Sequence, residues 1–275
     1  MAVTAAMAAQ GDGRVLKTRI ISAAFLAPPA VLAAWMGGYA FALLVAVAVA
    51  LMCWEWHRMV GAGVFGLAGK VAGAGCAGAV MLAVSHPVIG CVLAVAAAAA
   101  SVMLTEPQGR RWAGAGAIYA GLPSVTMVWL REMPENGGAL IGWLLMVVWA
   151  TDIGAYAFGR LIGGPLLLPV VSPKKTWAGL LGGMLCAGLV GAITANLLGQ
   201  GNGIVLALVS AVTAVVAQIG DLFESWVKRR WGVKDSSTII PGHGGVLDRV
   251  DGLLSASLVV AALVLITGRT VLAWQ

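Results

Sequence analysis

Long apolar runs, separated by short polar segments, dominate the chain from about residue 19 onward. Each run has the length of about 17–25 residues that a helix needs to cross the hydrocarbon core of a bilayer. Because lipid offers no partner for an unpaired peptide group, such spans must be α-helices. The pattern predicts nine spans, near 19–36, 39–55, 67–85, 87–104, 113–130, 138–158, 177–198, 203–222 and 252–268. The predicted fold is therefore an all-α, polytopic membrane helix bundle.

The distribution of basic residues predicts the orientation of this bundle. If the N-terminus lies in the cytoplasm and the spans alternate, fifteen of the 17 Lys and Arg residues lie on the cytoplasmic side. Only Arg131 and Arg269 then lie outside. This bias is what the positive-inside rule requires. If the predicted number of spans were wrong by one, many of these basic residues would fall on the opposite side and the bias would be lost. We therefore expect an N-in arrangement with the C-terminus outside.

Composition supports a membrane protein and removes other classes. The chain is 60% hydrophobic and 10% charged, whereas soluble domains carry about 25% charged residues. The net charge of +6 follows largely from the topology, so no nucleic-acid partner is expected. The four cysteines lie in apolar stretches without CxxC spacing, which favours small buried hydrophobes over a disulfide or a zinc site.

Several acidic residues lie where lipid would be expected. Asp152 and Asp221 each fall in the last third of an apolar span, and a charge at mid-bilayer costs about 2.5–3.5 kcal/mol. Both are therefore expected to face the bundle interior. Asp248 and Asp251 open the ninth span, so three spans deliver aspartates to about the same depth on the cytoplasmic side. Glu55, in contrast, is predicted to form a local ion pair with Arg58, three residues further along the same helix.

Two interpretations of the aspartates remain open on spacing alone. They could form a structural network of interhelical salt bridges with Lys and Arg. Alternatively, carboxylates gathered at one depth could hold Mg²⁺, which prefers hard oxygen ligands. The neighbouring basic residues outnumber what the aspartates need, which favours a site for a magnesium–nucleotide and a second phosphate.

Two segments carry features of phosphate binding. The glycines around His243, from Gly242 to Gly245, would let backbone amides approach a phosphate just before a helix begins. The segment PLLLPVVSPKKTW, residues 165–177, offers hydroxyls and two lysines. Because Pro173 blocks an earlier helix start, Lys174–Trp177 is predicted to open the seventh span. Its lysines also suit the topology rule or an anionic lipid head group.

The segment from Ser225 to Asp251, SWVKRRWGVKDSSTIIPGHGGVLDRVD, resembles the signature of the phosphatidate cytidylyltransferases, also called CDP-diacylglycerol synthases. The SPKKTW stretch and Gly220-Asp221-x-x-Glu224-Ser225 resemble the same family. Ala178 departs from the polar or acidic residue expected after Trp177, and the first five spans match only as a generic membrane bundle.

The resemblance implies a reaction of CTP with phosphatidate that gives CDP-diacylglycerol and pyrophosphate, with Mg²⁺ and an accompanying K⁺. It also implies a homodimer and a polar cavity that faces the cytoplasm and opens to membrane lipids. The expected location is the bacterial inner (plasma) membrane. On this basis the chain divides into a cytoplasmic tail (1–18), an N-terminal bundle for packing and dimerisation (19–130), and a catalytic bundle (131–275) with cytoplasmic loops 159–176 and 223–251.

The predicted site residues follow from these segments and from the resemblance. Asp221 and Asp248 resemble the metal ligands of the family. The predicted catalytic residues are Asp221, Asp248, Lys228, Arg229 and Asp251. The predicted substrate-binding residues are Ser172, Lys174, Lys175, Thr176, Ser225, Lys234, His243, Gly244, Gly245 and Arg249. His243 is expected to orient a phosphate or the loop, with general-acid catalysis as the alternative.

Three other functions compete with this interpretation. Intramembrane aspartates also mark ion-coupled transporters, which should show paired repeats with interrupted helices; the 221–251 arrangement occurs once. A CTP-dependent enzyme acting on another lipid phosphate is the nearer alternative. A purely structural membrane protein would leave the clustered charge unexplained.

Overall fold

The structure, a computed structural model, describes Ser22 and residues 24–274. The described part of the chain contains nine α-helices at the positions of the predicted spans. They are α1 (Ala24–Met36), α2 (Gly38–Val60), α3 (Leu67–Leu82), α4 (Pro87–Met103), α5 (Arg110–Arg131), α6 (Gly137–Leu161), α7 (Trp177–Leu198), α8 (Gly203–Arg230) and α9 (Leu247–Thr267). Helices α2 and α5–α9 are long and apolar enough to cross a membrane, whereas α1, α3 and α4 are shorter. The helical membrane class is confirmed, and the number of nine spans stays a prediction.

Helices α2–α5 pack mainly on one another, and α6–α9 form a second group. Contacts of α9 with α5 and α2 join the two groups. The predicted functional division at residue 130 stays a prediction, and the predicted tail 1–18 lies outside the described residues.

Small residues set the distance between helices, most clearly where α8 crosses α9. A methyl group on Gly220 would meet the side chain of Ser255 and lie 2.8 Å from the carbonyl oxygen of Asp251. Glycine therefore lets the two backbones touch at the turn that carries Asp221 and Asp251.

Opposite ends of the bundle differ in charge. At one end, Arg131 donates hydrogen bonds to the carbonyl oxygens of Ala34 (2.5 Å) and Trp35 (2.6 Å), and Glu132 accepts one from Gly38 N (2.6 Å). These contacts clamp the connection between α1 and α2. Except for Arg131 and Arg269, the basic residues that the structure describes lie at the other end, where α2, α6 and α8 finish and α7 and α9 begin. We call it the site end.

A small β-hairpin at the site end is a departure from the all-α prediction. Strands β1 (Leu166–Leu168) and β2 (Ser172–Thr176) pair antiparallel between α6 and α7. The prediction that Lys174–Trp177 opens the seventh span is wrong, because these lysines belong to β2 and α7 begins only at Trp177. The side chain of Thr176 accepts a hydrogen bond from Gly179 N at 3.0 Å, and this cap fixes the start of the helix.

Helix α8 is longer than the predicted span. Its 28 residues extend about 42 Å, which exceeds the hydrocarbon core of about 30 Å. The helix continues past the predicted end of the span, through Ser225 to Arg230. The loop predicted at 223–251 therefore contains only residues 231–246. The loop predicted at 159–176 is shortened in the same way, because α6 runs to Leu161.

Candidate active site

Aspartates from three helices and one loop line a single cavity of about 340 Å³ at the site end. Its lining is Asp152 from α6, Asp221 and Lys228 from α8, Asp235 from the loop 231–246, and Asp248, Arg249 and Asp251 from α9. We call it the central cavity. The expectation that three spans bring their aspartates together is confirmed in this geometry.

Two further cavities adjoin the central cavity, because they share residues with it. The hairpin cavity, about 300 Å³, shares Asp152 and Asp221. Strand β2 contributes Ser172, Lys174, Lys175 and Thr176 to its wall. The loop cavity, about 710 Å³, shares Asp235 and Arg249 with the central cavity. Its wall also includes Lys234, Ser237, His243 and Gly244. Most of the predicted substrate-binding residues therefore line cavities that lie side by side.

Asp221 joins the hairpin to α8. Its Oδ2 lies 2.5 Å from Lys175 Nζ, and its Oδ1 accepts a hydrogen bond from Ser225 Oγ, one turn later, at 3.2 Å. The ammonium group partly neutralises the carboxylate and holds β2 over the cavity. Lys175 and Ser225 thus reach the site as partners of Asp221.

Asp248 is buried and accepts hydrogen bonds on both oxygens. Lys228 Nζ lies 2.5 Å from Oδ1. Oδ2 accepts from Ser236 N (2.9 Å), Ser236 Oγ (2.9 Å) and Gly245 N (2.7 Å). Such a carboxylate holds the loop 231–246 against the start of α9 while it faces the central cavity.

Lys228 bridges two buried carboxylates. Besides Asp248, its Nζ contacts Glu224 Oε2 at 2.9 Å, one turn earlier on α8. Glu224 has an exposed fraction of 0%, so this ammonium group takes the place of water as a partner of its carboxyl group. The salt-bridge interpretation and the site interpretation therefore both describe part of the arrangement.

The Glu55 side chain does not form the predicted local ion pair with Arg58. Its side chain is fully buried and accepts hydrogen bonds from Ser236 Oγ, Ser237 Oγ, Val246 N and Leu247 N. Arg58 instead lies over the ring of Trp54, 4.8 Å from its centroid, and donates to the carbonyl oxygen of Gly63 at 3.1 Å. The prediction is wrong because Glu55 is buried against the loop 231–246, whereas Arg58 lies on the exposed surface of α2.

The glycine segment makes a tight turn over Asp248. Gly242 and Gly244 have φ values of 76° and 85°, which favour glycine, and Ile240 N donates to the carbonyl oxygen of Gly244 at 2.9 Å. A methyl group on Gly244 would lie 2.7 Å from Asp248 Oδ2. The turn thus needs glycine both for its backbone conformation and for its approach to the carboxylate.

Arg229 is placed differently from the other predicted catalytic residues. It is exposed and donates to the carbonyl oxygen of Val233 at 3.0 Å, and none of the three cavities described above includes it. Thr176 lines the hairpin cavity but also caps α7. Gly245 contributes through its amide to Asp248.

Sequence reasoning missed Glu55, Glu224, Asp235 and Ser236 as parts of this site. One signal for Glu55 was available. Helix α9 begins after Val246, which has no side-chain acceptor for the first amides of the helix and is a poor N-cap residue. The first amides of a helix without a local cap need another acceptor, which a distant side chain can supply.

The carboxylates of the central cavity are a donor set of the kind that suits Mg²⁺. Carboxylates of Asp152, Asp221 and Asp251 line the central cavity, and such hard oxygens suit Mg²⁺. Within the described residues no group of three or more acidic, His or Cys side chains forms a ready-made metal cage.

Comparisons with known proteins identify the family of the chain. The model of the cytidylyltransferase family matches residues 17–267. A phosphatidate cytidylyltransferase of Brucella suis is 38% identical over 250 residues, which cover 88% of this chain and 90% of that protein. The phosphatidate cytidylyltransferase of Pseudomonas aeruginosa is 38% identical over 275 residues, covering 92% of this chain and 98% of that protein. A third, from Staphylococcus epidermidis, is 44% identical over 131 residues, or 47% of this chain and 50% of that protein. The chain belongs to the cytidylyltransferase family.

Proposed function

We propose that the protein transfers the cytidylyl group of CTP to phosphatidate, giving CDP-diacylglycerol and pyrophosphate for phospholipid synthesis. The observation that carries this proposal is the central cavity, where aspartates from three helices meet Lys228 and adjoin the lysines of the hairpin. The aspartates suit a Mg²⁺ ion and the neighbouring lysines suit phosphate groups, and a metal–triphosphate with a second phosphate requires both. The relatives from Brucella suis and Pseudomonas aeruginosa bear the name of this activity.

The chemistry requires positioning more than acid–base catalysis. A phosphate oxygen of phosphatidate attacks the α-phosphorus of CTP and forms a new P–O bond. The bond from that phosphorus to the oxygen bridging to the β-phosphorus breaks, and pyrophosphate leaves. The attacking oxygen is already anionic, so no strong general base is needed. The protein therefore contributes alignment and charge neutralisation.

We assign phosphate neutralisation to the lysines of these neighbouring cavities. Lys175 and Lys228 are held by ion pairs to Asp221 and Asp248, so their ammonium groups are already positioned when substrates enter. Lys174 adds charge to the hairpin cavity, and Arg249 adds it where the loop and central cavities meet. His243, on the wall of the loop cavity, orients a phosphate without acting as the general acid.

Asp221 and Asp248 are the proposed ligands of Mg²⁺, which when bound would offset the negative charge of the triphosphate. For this role, Asp248 would give up the contact of its Oδ1 with Lys228. Glu224 makes the exchange feasible, because it holds the same ammonium group at 2.9 Å. K⁺ as a second cation is part of the same proposal.

We further propose that the site end faces the cytoplasm of a bacterium and that the protein is a homodimer in the inner membrane. CTP is a cytoplasmic nucleotide, and the bias of Lys and Arg toward the site end agrees with the positive-inside rule.

Label transfer tests the function. Purified protein in detergent is incubated with phosphatidate, Mg²⁺ and CTP labelled at the α-phosphate or, separately, at the γ-phosphate. Cytidylyl transfer should move the α-label into the lipid extract and leave the γ-label in water. A γ-label in lipid would show phosphoryl transfer instead. Absence of lipid label with phosphatidate, but its appearance with a polyprenyl phosphate, would replace the proposed substrate. No labelled lipid with any lipid phosphate would refute the enzyme proposal.

Replacing Asp221 with asparagine tests the metal assignment. We expect the Mg²⁺ concentration for half-maximal activity to rise about tenfold, because the amide is a weaker ligand than the carboxylate. Initial rates over a Mg²⁺ titration measure this. Lys175→Gln is the matched control, since it breaks the same ion pair but keeps the carboxylate and removes a competing cation. Its Mg²⁺ requirement should not rise. An unchanged Mg²⁺ requirement in Asp221→Asn would remove Asp221 from the metal site.

A further inference from the structure

The buried carboxylate of Glu55 lies outside the segments that suggested the function, yet it contacts the loop that carries His243. Glu55 belongs to α2, in the N-terminal group of helices. Its Oε1 accepts from Ser237 Oγ (2.7 Å) and Val246 N (2.8 Å). Its Oε2 accepts from Leu247 N (2.7 Å) and, at 3.3 Å, from Ser236 Oγ. All four donors come from the loop 231–246 and the first residue of α9.

These donors lie at the two ends of one loop segment. Ser236 and Ser237 precede residues 238–245, and Val246 and Leu247 follow them. One carboxylate thus closes the segment at its base. The segment between forms much of the loop cavity, including His243 and Gly244. Without the hydrogen bonds to Glu55, the hydrogen bonds of Ser236 and Gly245 to Asp248 would have to hold the glycine turn in place.

Glu55 also replaces the missing cap of α9. Val246 offers no side-chain acceptor, and the first amides of a helix have no partner within it. The carboxylate of Glu55 accepts from two of them, and a negative charge at a helix N-terminus is favourable. The helix that starts there carries Asp248 and Asp251, so its start fixes where these aspartates stand.

A shared hydroxyl couples Glu55 to Asp248. Ser236 Oγ lies 2.9 Å from Asp248 Oδ2 and 3.3 Å from Glu55 Oε2, and a serine hydroxyl has one proton to donate. Close packing leaves little room for adjustment, because a methyl group on Gly245 would meet both Ser236 Oγ and Glu55 Oε1.

The neighbouring Trp56 holds Glu55 at this place. Its ring is buried and its Nε1 donates to the carbonyl oxygen of Trp112 on α5 at 2.7 Å. Gly116, one turn further on α5, leaves the room that the indole occupies. Helix α2 therefore presents Glu55 from a fixed position, anchored to the N-terminal group.

We propose that Glu55 is a positioning residue of the cytidylyl transfer reaction, which sets the loop 231–246 and the start of α9 so that Asp248 faces the substrates. This inference rests on the proposed function. It gives the N-terminal group of helices a part in catalysis beyond packing.

Glu55→Gln tests the proposal. The amide keeps the size of the side chain but places an NH₂ group against donors that need an acceptor. We expect kcat per folded molecule to fall about 10- to 100-fold, since small misplacements of catalytic groups have effects of this size. We also expect faster hydrogen exchange at the amides of Val246 and Leu247, measured by mass spectrometry on the protein in micelles. That second readout needs no substrate.

Ser101→Ala is the matched control. Ser101 is fully buried on α4 and contacts His57 Nε2 at 3.1 Å, so its loss removes a buried hydrogen bond from the same helix α2. Its kcat and the exchange at 246–247 should match the wild type. If Glu55→Gln keeps wild-type kcat per folded molecule, or if Ser101→Ala loses as much, Glu55 has only a structural role and the inference fails. Inactive wild-type protein would instead refute the proposed function, and the exchange readout would still decide whether Glu55 holds the loop.

If Glu55→Gln does not fold, Ser237→Ala serves as the second variant, because it removes one of the four donors to Glu55. It must show the same fall in kcat and the same faster exchange at 246–247, each to a smaller degree. Wild-type values in Ser237→Ala would overturn the inference.

Discussion

Replacing Asp248 with asparagine is expected to lower kcat by about a hundredfold or more, because the change removes a charged group that is preorganised at the proposed reaction centre. The two side chains have nearly the same shape, but their hydrogen-bonding capacities differ. Lys228 donates to one carboxylate oxygen, and three donors from Ser236 and Gly245 contact the other. Whichever way the amide is turned, its NH₂ group faces donors.

The rate of CDP-diacylglycerol formation by the purified variant measures this effect, and circular dichroism with size-exclusion chromatography reports whether the bundle is assembled. Glu132→Gln is the appropriate control. It makes the same acid-to-amide change at a carboxylate that accepts from Gly38 N, at the opposite end of the bundle, and should leave kcat unchanged. A nearly normal kcat in Asp248→Asn would remove this residue from the catalytic site.

Replacing Lys228 with methionine should both abolish activity and destabilise the protein. The change leaves the buried carboxylates of Glu224 and Asp248 without the cation that bridges them. Breaking a buried pair in this way costs about 3–5 kcal/mol. Thermal unfolding in detergent measures the loss. A variant as stable as the wild type would show that the bridge does not contribute to stability.

A second substitution separates charge from packing. Adding Glu224→Gln to Lys228→Met removes one of the two carboxyl groups that lose their cation and should restore part of the stability without restoring activity. Arg230→Met is the control for losing a cation near the end of α8. Arg230 is exposed and lies over Trp112, 5.4 Å from the ring centroid, so its loss should change stability by no more than about 0.5 kcal/mol. Failure of the double variant to regain stability would indicate lost packing of the lysine stem.

The helices were predictable because the bilayer imposes one rule on every span. Apolar length and the placement of charges were enough to locate α1–α9 and to gather Asp152, Asp221, Asp248 and Asp251 at one depth. The free energy of transferring a span from water to lipid depends on the residues of that span alone, so the span can be recognised from its own sequence. The rule says nothing about which side chains contact each other at the boundary of the apolar layer.

The hairpin and Glu55 show where that limit lies. Residues 165–171 are apolar enough to suggest a helix, but they contain two prolines that prevent one. The segment instead forms part of a hairpin whose two ends are fixed by α6 and α7. Glu55 had Arg58 within reach on its own helix, whereas its actual partners lie 181 to 192 residues away. A local pattern favours the near partner, and only the packed bundle provides the distant one.

The distance along the chain between Glu55 and its partners also has a consequence for the order of assembly. Ribosomes synthesise α2 early, and the amides of Val246 and Leu247 follow 191 and 192 residues later. During that interval the carboxylate has none of the four donors that satisfy it in the finished protein. The central cavity is therefore completed only when α9 has been inserted. A chain that stops before residue 236 leaves the Glu55 carboxylate without these partners.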